Sequence, residues 1–556
     1  MVARLRVSKP LSRRIAVIVV AVLLFGWVFL YRFNTLGGAF AGFDNDHFLY
    51  FALAKQVQAG EQPLRDFQEG VHGARPSLTY ELSAAAQRYF GNNLRSEAWL
   101  TVGGVALGAA VAFLAGSALA PWPWALATAL LSALVSPKLY GYPKVVVTAV
   151  ASLLIVGCTG LPTWRRIALL SVWTAVAFLL RHDYAVYCAL GFGTVILLSD
   201  GASWRIRLGR TGGYLVITAV LLAPSLWWIQ RYRGLTEYVR NSLEMTRNEA
   251  LRTEISWPTP ALDGVRSLST VFERNENTIA WIYYVFLGVP MIVLGVTAWK
   301  RARHGPGADD RTAALVSLSV MTVLLSHYFL RGNLAGRFGD MAPPVAVLAA
   351  YLLSIATQGR GRPWPRALAV GVLACAVLAV TCVCTWRLAS VASELRTARL
   401  LEPGDVVART RRASQELVEM PRSLRESQAT GPMQAAYYLH RCTRPTDRVI
   451  AVGYYPDVPG LSDRLFAGGR VTFVPVYYQD ERYWRETIDK LESQSVPIVL
   501  GGEELDDPRF QLLTDYLRTR YDEVGSVSIT EGALRVLVRR GLTGTPTGPN
   551  GLPCFA

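Results

Sequence analysis

Charge is scarce in this chain: 18% of its 556 residues are Asp, Glu, Lys or Arg. The seven cysteines show no metal-ligand spacing, which argues against a zinc or iron–sulfur protein. No G-x-G-x-x-G follows the strand-like run ending at Gly453, so dinucleotide binding has no support. No small-residue cleavage site follows the first apolar run, so that run is expected to stay as an anchor. A net charge of +16 suggests nucleic acid, yet no nucleic-acid motif or Arg-rich stripe accompanies it. What the chain has in abundance is apolar residue, 51% of the total, with mean hydropathy +0.26. That length and that hydropathy exceed what one soluble domain carries, and they read as a polytopic membrane protein.

Candidate spans are Ile15–Tyr31, Trp99–Ala118, Trp122–Leu139, Val145–Leu161, Ile167–Leu180, Tyr184–Leu198, Tyr214–Ile229, Ile279–Trp299, Ala313–Leu330, Met341–Thr357 and Ala367–Trp386. These are about eleven helices. Ile167–Leu180 and Tyr184–Leu198 are short and divided by RHDY, so they read as a tight hairpin. Arg4, Arg6, Lys9, Arg13 and Arg14 hold the N-terminus in the cytoplasm. Walking outward from there, the cytoplasmic loops carry Arg165 and Arg166; Arg205, Arg207 and Arg210; Lys300, Arg301 and Arg303; and Arg360, Arg362 and Arg366. Independent loops agree on one orientation, in the inner (plasma) membrane, with the C-terminus outside. Cys158, Cys188, Cys375, Cys382 and Cys384 lie in or beside spans as small hydrophobes. Cys442 and Cys554 lie outside them, and a disulfide between the two stays open.

The first outer segment, within residues 32–98, is the most patterned. Asp44 and Asp46 stand just beyond the first span. From Asp46 to Ala59 apolar residues recur at helical spacing, with Gly60 as a left-handed stop. Either Asp can serve as an N-cap, the bland alternative to a catalytic role. A second helix is expected from Ser77 to Phe90 after Pro76. Other outer loops are cationic against the usual bias: SPKLYGYPK holds Tyr142 and Lys144, RHDY holds Arg181, His182 and Asp183, and RGNLAGRFGD holds Arg331, Arg337 and Asp340. Snorkelling at helix ends explains one such loop; three on one face suggest an anion site. In the long outer loop, 230–278, Leu235–Glu254 reads as an amphipathic helix on the membrane.

After residue 388 the character changes. Ala389–His440 is polar and helical, interrupted near Pro403 and Pro421. RVIAVGYY, VTFVPVYY, VPIVLGG and LRVLVRR read as strands, with Glu481–Ser493 and Asp507–Arg520 as helices between them. The fold class is therefore mainly α, a transmembrane domain over 1–388 followed by a small extracytoplasmic α/β domain over 389–540. The Gly/Pro/Thr-rich stretch 541–556 reads as a disordered tail.

A carboxylate near cationic loops at the outer membrane face suits sugar transfer from a lipid phosphate. The Asp takes the acceptor hydroxyl's proton and the cations hold the leaving phosphate. Here the sequence resembles a family. Asp46-His47-x-x-Tyr50-x-x-x-Ala54 is similar to the DE-x-x-Y-x-x-x-A signature of GT-C fold glycosyltransferases such as protein O-mannosyltransferases and aminoarabinose transferases. Gly60-x-x-Pro63-x-x-Asp66-Phe67, Arg75-Pro76-Ser77-Leu78-x-Tyr80 and RGNLAGRFGDMAPP resemble its later motifs, and RVIAVGYYPDVPGLSDR, ending at Arg464, resembles the outer domain of bacterial members.

The resemblance implies Asp46 as catalytic base and Arg75 near the donor phosphate; Asp44 is expected to assist, and the cationic outer loops offer Lys144, Arg181 and Arg337 as further phosphate contacts. His47, Tyr50, Tyr142 and His182 line the substrate pocket, all meeting at the outer lip of the bilayer. It implies a polyprenyl-phosphate-linked sugar as donor, a glycan, lipid or protein as cell-envelope acceptor, and neither metal nor other cofactor. His47 stands where the family has Glu, which keeps an inactive glycan-binding scaffold open. A transporter or flippase of lipid-linked sugars would place ionisable residues deep inside spans, whereas here they gather at helix ends.

Overall fold

The computed structural model describes residues 11–35, 45–68, 78–135, 142–252, 257–259, 275–305, 311–330, 334, 337–358, 396, 403–426, 432–474, 480–529, 532–548 and 551–555. In chain order the helices are α1 (Leu11–Thr35), α2 (Asn45–Gln58), α3 (Leu78–Phe90), α4 (Leu94–Leu119), α5 (Trp122–Val135), α6 (Tyr142–Val156), α7 (Trp164–Leu180), α8 (His182–Leu198), α9 (Trp204–Tyr232), α10 (Leu235–Arg252), α11 (Asn275–His304), α12 (Thr312–Phe329) and α13 (Phe338–Gln358). There follow α14 (Pro403–Glu426), α15 (Pro432–Cys442), β1 (Arg448–Val452), α16 (Asp457–Ser462), β2 (Leu465–Phe466), α17 (Glu481–Ser493), β3 (Ile498–Gly501), α18 (Gln511–Arg520), β4 (Tyr521–Ile529) and β5 (Gly532–Arg539).

Each expected span from Ile15–Tyr31 to Met341–Thr357 is a helix; Ala367–Trp386 lies outside the described residues. Among the described residues, six helices are long and apolar enough to cross a membrane: α1, α4, α9, α11, α12 and α13, with α5, α6 and α8 shorter. The expected hairpin is α7 and α8, which pack together and are joined by Arg181 alone in an extended conformation, φ −163°.

The helices distribute over two compact units, each discontinuous in sequence. Met1–Thr35, Thr101–Leu222 and Ile255–Val407 make the first; Leu36–Leu100, Ala223–Glu254 and Ala408–Ala556 make the second. By this division the first polar segment falls in the same unit as the C-terminal domain.

The first unit is helical. Ala21, Leu24 and Val28 of α1 pack with Phe113 of α4 and Ala125 and Ala129 of α5. Small residues bring these backbones close. A Cβ on Gly108 of α4 would stand 2.3 Å from Val145 of α6, so only glycine permits that approach. Apolar side chains also cover the outside, among them Val22 and Leu23 on α1, Val216 and Val220 on α9 and Met291 on α11. Exposed apolar surface on that scale suits hydrocarbon rather than water.

The second unit holds a five-stranded sheet in the order β2-β1-β3-β5-β4. β1 pairs in parallel with β2 and β3; β5 is antiparallel to β3 and β4. Strand periodicity divides the core between two faces. Ile450 and Val452 join Trp484, Leu491 and Phe510 on one; Val449 and Ala451 join Tyr438, Leu439 and Val536 on the other. VTFVPVYY is not a strand where it is described. β2 lies earlier, at Leu465–Phe466, and the Phe473 amide donates to Gly453 O (2.7 Å) beyond the end of β1. Pro475 interrupts the run and removes a ladder donor. α14 continues through Pro421, where an interruption is expected.

The tail is not loose. Cys442 and Cys554 form a disulfide, Leu552 is buried, and the Phe555 amide donates to Cys442 O. The segment α2–α3 is anchored within the same unit: Lys55 Nζ donates to Gly460 O (2.8 Å) and pairs with Asp463, and Gln56 Nε2 donates to Phe466 O (3.1 Å). α10 also belongs here, with Met245 against the sheet core and Glu237 bonded to Arg482. Its Val239 and Leu243 stay exposed.

Candidate functional site

In the first unit, three of the singled-out cations gather round one tyrosine. Lys144 enters from the start of α6, where the Gly108–Val145 approach fixes the helix. It is 3% exposed, with Nζ 3.6 Å from Asp340 Oδ2. Asp340 lies in the first turn of α13 and is equally buried. The Tyr184 hydroxyl donates to the same Asp340 oxygen (3.1 Å), and Thr148 Oγ1 donates to the Asp340 backbone carbonyl (3.1 Å).

Arg181, the single residue between α7 and α8, is 6% exposed. Its Nε donates to Asp183 Oδ1 (3.0 Å), and its guanidinium lies 5.5 Å from the Tyr184 ring centroid. The Tyr328 hydroxyl, from the end of α12, donates to Asp183 Oδ2. Arg337, half-buried just before α13, acts electrostatically on Tyr184 together with Arg181, Asp183 and Asp340. The result is a buried network from α6, α8, α12 and α13 at one end of the bundle. Lys144 and Arg181 are held in place by carboxylates that also bind phenols, so an anion arriving there meets positioned charge instead of mobile side chains. His182 is half-buried with its ring 6.4 Å from Phe178. Tyr142 opens α6, and its side chain lies outside the described residues.

Tyr184 and Tyr328 were not legible as site residues. Tyr184 stood at the end of RHDY as a divider between spans. The available signal was a Tyr beside an Arg and an Asp at a helix start, which is weak without the partners that arrive from later helices.

The acidic motif belongs to the second unit. Asp46 falls in the first turn of α2, its side chain outside the described residues. Asp44 and Arg75 lie outside them entirely. His47 is 1% exposed and Tyr50 is buried. Tyr50 stands 6.5 Å from Tyr80, Tyr80 stands 6.3 Å from Phe67, and Phe67 meets Phe466 edge-on at 5.9 Å. This chain of rings fixes the buried face of α2. Asp66 staples a turn: its carboxylate accepts from Gln62 N (2.8 Å) and from Arg65. Burial pushes the Asp66 carboxyl up, but those donors and the nearby Lys490 outweigh it and hold the group below the usual carboxylate range. Asp66 is thus structural. Among the described residues, no three or more His, Cys, Asp or Glu side chains gather as a metal would require.

No family model and no curated protein matches the sequence. Among solved structures, the chain is similar to ArnT from Cupriavidus metallidurans bound to undecaprenyl phosphate, at 12% identity and TM-score 0.48, over 96% of this chain and 100% of that one. It is also similar to the archaeal oligosaccharyltransferase AglB from Archaeoglobus fulgidus in complex with an inhibitory peptide and a dolichol-phosphate. There the identity is 12% and the TM-score 0.44, over 95% of this chain and 74% of that one.

Proposed function

We propose that this protein is a membrane glycosyltransferase that moves a sugar from a polyprenyl-phosphate donor to a cell-envelope acceptor outside the plasma membrane. The observation that carries the reading is the grouping of buried Arg181 and half-buried Arg337 about Tyr184, with buried Lys144 joined to it through Asp340. Buried cations are costly unless they serve a charge, and two of these are already positioned by Asp340 and Asp183.

In the proposed reaction the acceptor oxygen bonds to the anomeric carbon while the bond from that carbon to the phosphate oxygen breaks. The electron pair leaves with the phosphate, which Lys144, Arg181 and Arg337 hold, with Arg75 in support. Asp46 takes the acceptor proton as general base, assisted by Asp44, and His47, Tyr50, Tyr142 and His182 shape the substrate site.

The Cys442–Cys554 disulfide supports an extracytoplasmic second unit, since such bonds persist on the oxidising side. The basic residues at the opposite end of the bundle from Lys144 support a cytoplasmic N-terminus.

The test is Asp46→Asn in full-length protein that inserts normally. Transfer from a polyprenyl-phosphate sugar should fall by about 10²–10⁴-fold, with undecaprenyl phosphate binding retained. A variant as fast as the parent removes Asp46 from catalysis.

A further inference from the structure

Separate from the cation cluster, but including the residue that precedes Tyr328, three rings of the first unit come together. Trp257 meets Tyr283 of α11 edge to face at 6.0 Å and stands 6.1 Å from the His327 ring. His327 directly precedes Tyr328, whose hydroxyl donates to Asp183. Tyr283 is 0% exposed, and its hydroxyl has no hydrogen-bond partner among the described residues. Trp257, in contrast, leaves 51% of its surface open.

An aromatic belt at a membrane boundary explains an open indole. It does not explain a phenol enclosed by protein with nothing to bond. Buried Tyr hydroxyls ordinarily find a partner. An apolar ligand would leave the hydroxyl unsatisfied, and an anion would be drawn to the neighbouring cations instead. A ring that carries hydroxyls answers both features: its C–H face stacks on the indole and one of its oxygens accepts from the phenol.

We propose that Trp257, Tyr283 and His327 form the subsite for the sugar of the lipid-linked donor. Trp257 supplies the stacking surface, Tyr283 Oη donates to a sugar oxygen once Trp257 shifts to admit the ring, and His327 borders the opening. The assignment rests on the reading that the adjoining cations take the donor phosphate.

The full chain in nanodiscs is titrated with undecaprenyl phosphate, bare or carrying mannose, glucose or arabinose, and binding is read by native mass spectrometry. At least one glycosylated lipid should bind about tenfold tighter than the bare lipid. Tyr283→Phe and Trp257→Ala should each erase that preference while leaving bare-lipid affinity unchanged. No preference for any glycosylated lipid in the parent, or equal loss for bare and glycosylated lipid in Tyr283→Phe, overturns the subsite. Lys144→Met separates the two claims. If it leaves bare-lipid binding intact, the phosphate reading falls, and the sugar preference still decides this one.

Discussion

The two ends of the helical unit use cations in opposite ways. At one end Arg165, Arg166, Arg205, Arg301 and Arg303 are exposed. Their contacts lie open to solvent: Arg301 sits 3.6 Å from Asp200 with 44% of its side chain exposed, and Arg303 lies over Trp299. At the other end Lys144 and Arg181 are buried, and each has a carboxylate whose second partner is a phenol. Exposed cations set orientation through where they can go, and their partners matter little. Buried cations are meaningful only through their partners, because removing one leaves a charge with no solvent. The difference separates two uses of a basic residue: position along a membrane chain bears on sidedness, while burial and a fixed partner bear on chemistry.

The sharpest way to break this comparison is to make one substitution at each end. Lys144→Met strands Asp340 and should cost about 3–5 kcal/mol, read as a lowered Tm in detergent. Arg303→Gln at the exposed end should stay within about 0.5 kcal/mol. Adding Asp340→Asn to Lys144→Met removes the lone charge, keeps a partner for Tyr184, and should restore most of the loss. If Lys144→Met costs no more than Arg303→Gln, the network is not the rigid anion site it is taken to be.

How much of this could be read beforehand divides along the same line. The spans were legible because hydropathy is local, and so was the α7–α8 hairpin, since RHDY interrupts one apolar run. The three cations stood out because short outer loops rarely carry them. Their partners did not, because pairing depends on tertiary structure: Tyr184 and Asp340 are 156 residues apart. The sheet shows the same limit. Short apolar runs rich in Val, Ile and Leu marked β1, β3 and β5, where propensity and pairing agree. VTFVPVYY had the propensity, but the place beside β1 is taken by Leu465–Phe466. The tail misled through composition. Its Gly and Pro residues suggest disorder, yet Cys554 ties it to α15 through a bond whose partner lies 112 residues earlier.

A second contrast sharpens the role of the partner. Asp457, in the second unit, is nearly as buried as Asp340, at 5% exposed, but among the described residues only backbone amides face its carboxyl. Burial pushes that carboxyl up to about 6, with its own amide and that of Val458 partly offsetting the rise. The folded-state value lies above the ordinary 3.8, so folding favours the protonated form. Its contribution to stability is complete below the unfolded value and is lost as pH rises through about 6. Above that, the parent carries a buried charge. Asp457→Asn should therefore stabilise the protein at pH 7, by about 3 kcal/mol at most, and make little difference near pH 4. A Tm difference that stays flat between those pH values would mean that water or an unassigned cation already serves the carboxylate.

The smallest effect tests whether pairing alone is enough. Glu237 on α10 is paired twice, with Arg482 and with Arg240, yet its side chain is 21% exposed. Burial raises its carboxyl, but the hydrogen bonds and charges of Arg482 and Arg240 together outweigh that and hold it below the usual carboxylate range. Its contribution is thus present at neutral pH and lost as pH falls through the lowered value. Water and salt reach this pair, so Glu237→Gln should cost no more than about 1 kcal/mol, and the cost should fade in about 1 M salt. A larger penalty that salt does not touch would place α10 with the buried network of Lys144 despite its exposure. Partner geometry, not burial, would then separate the two kinds of charge in this molecule.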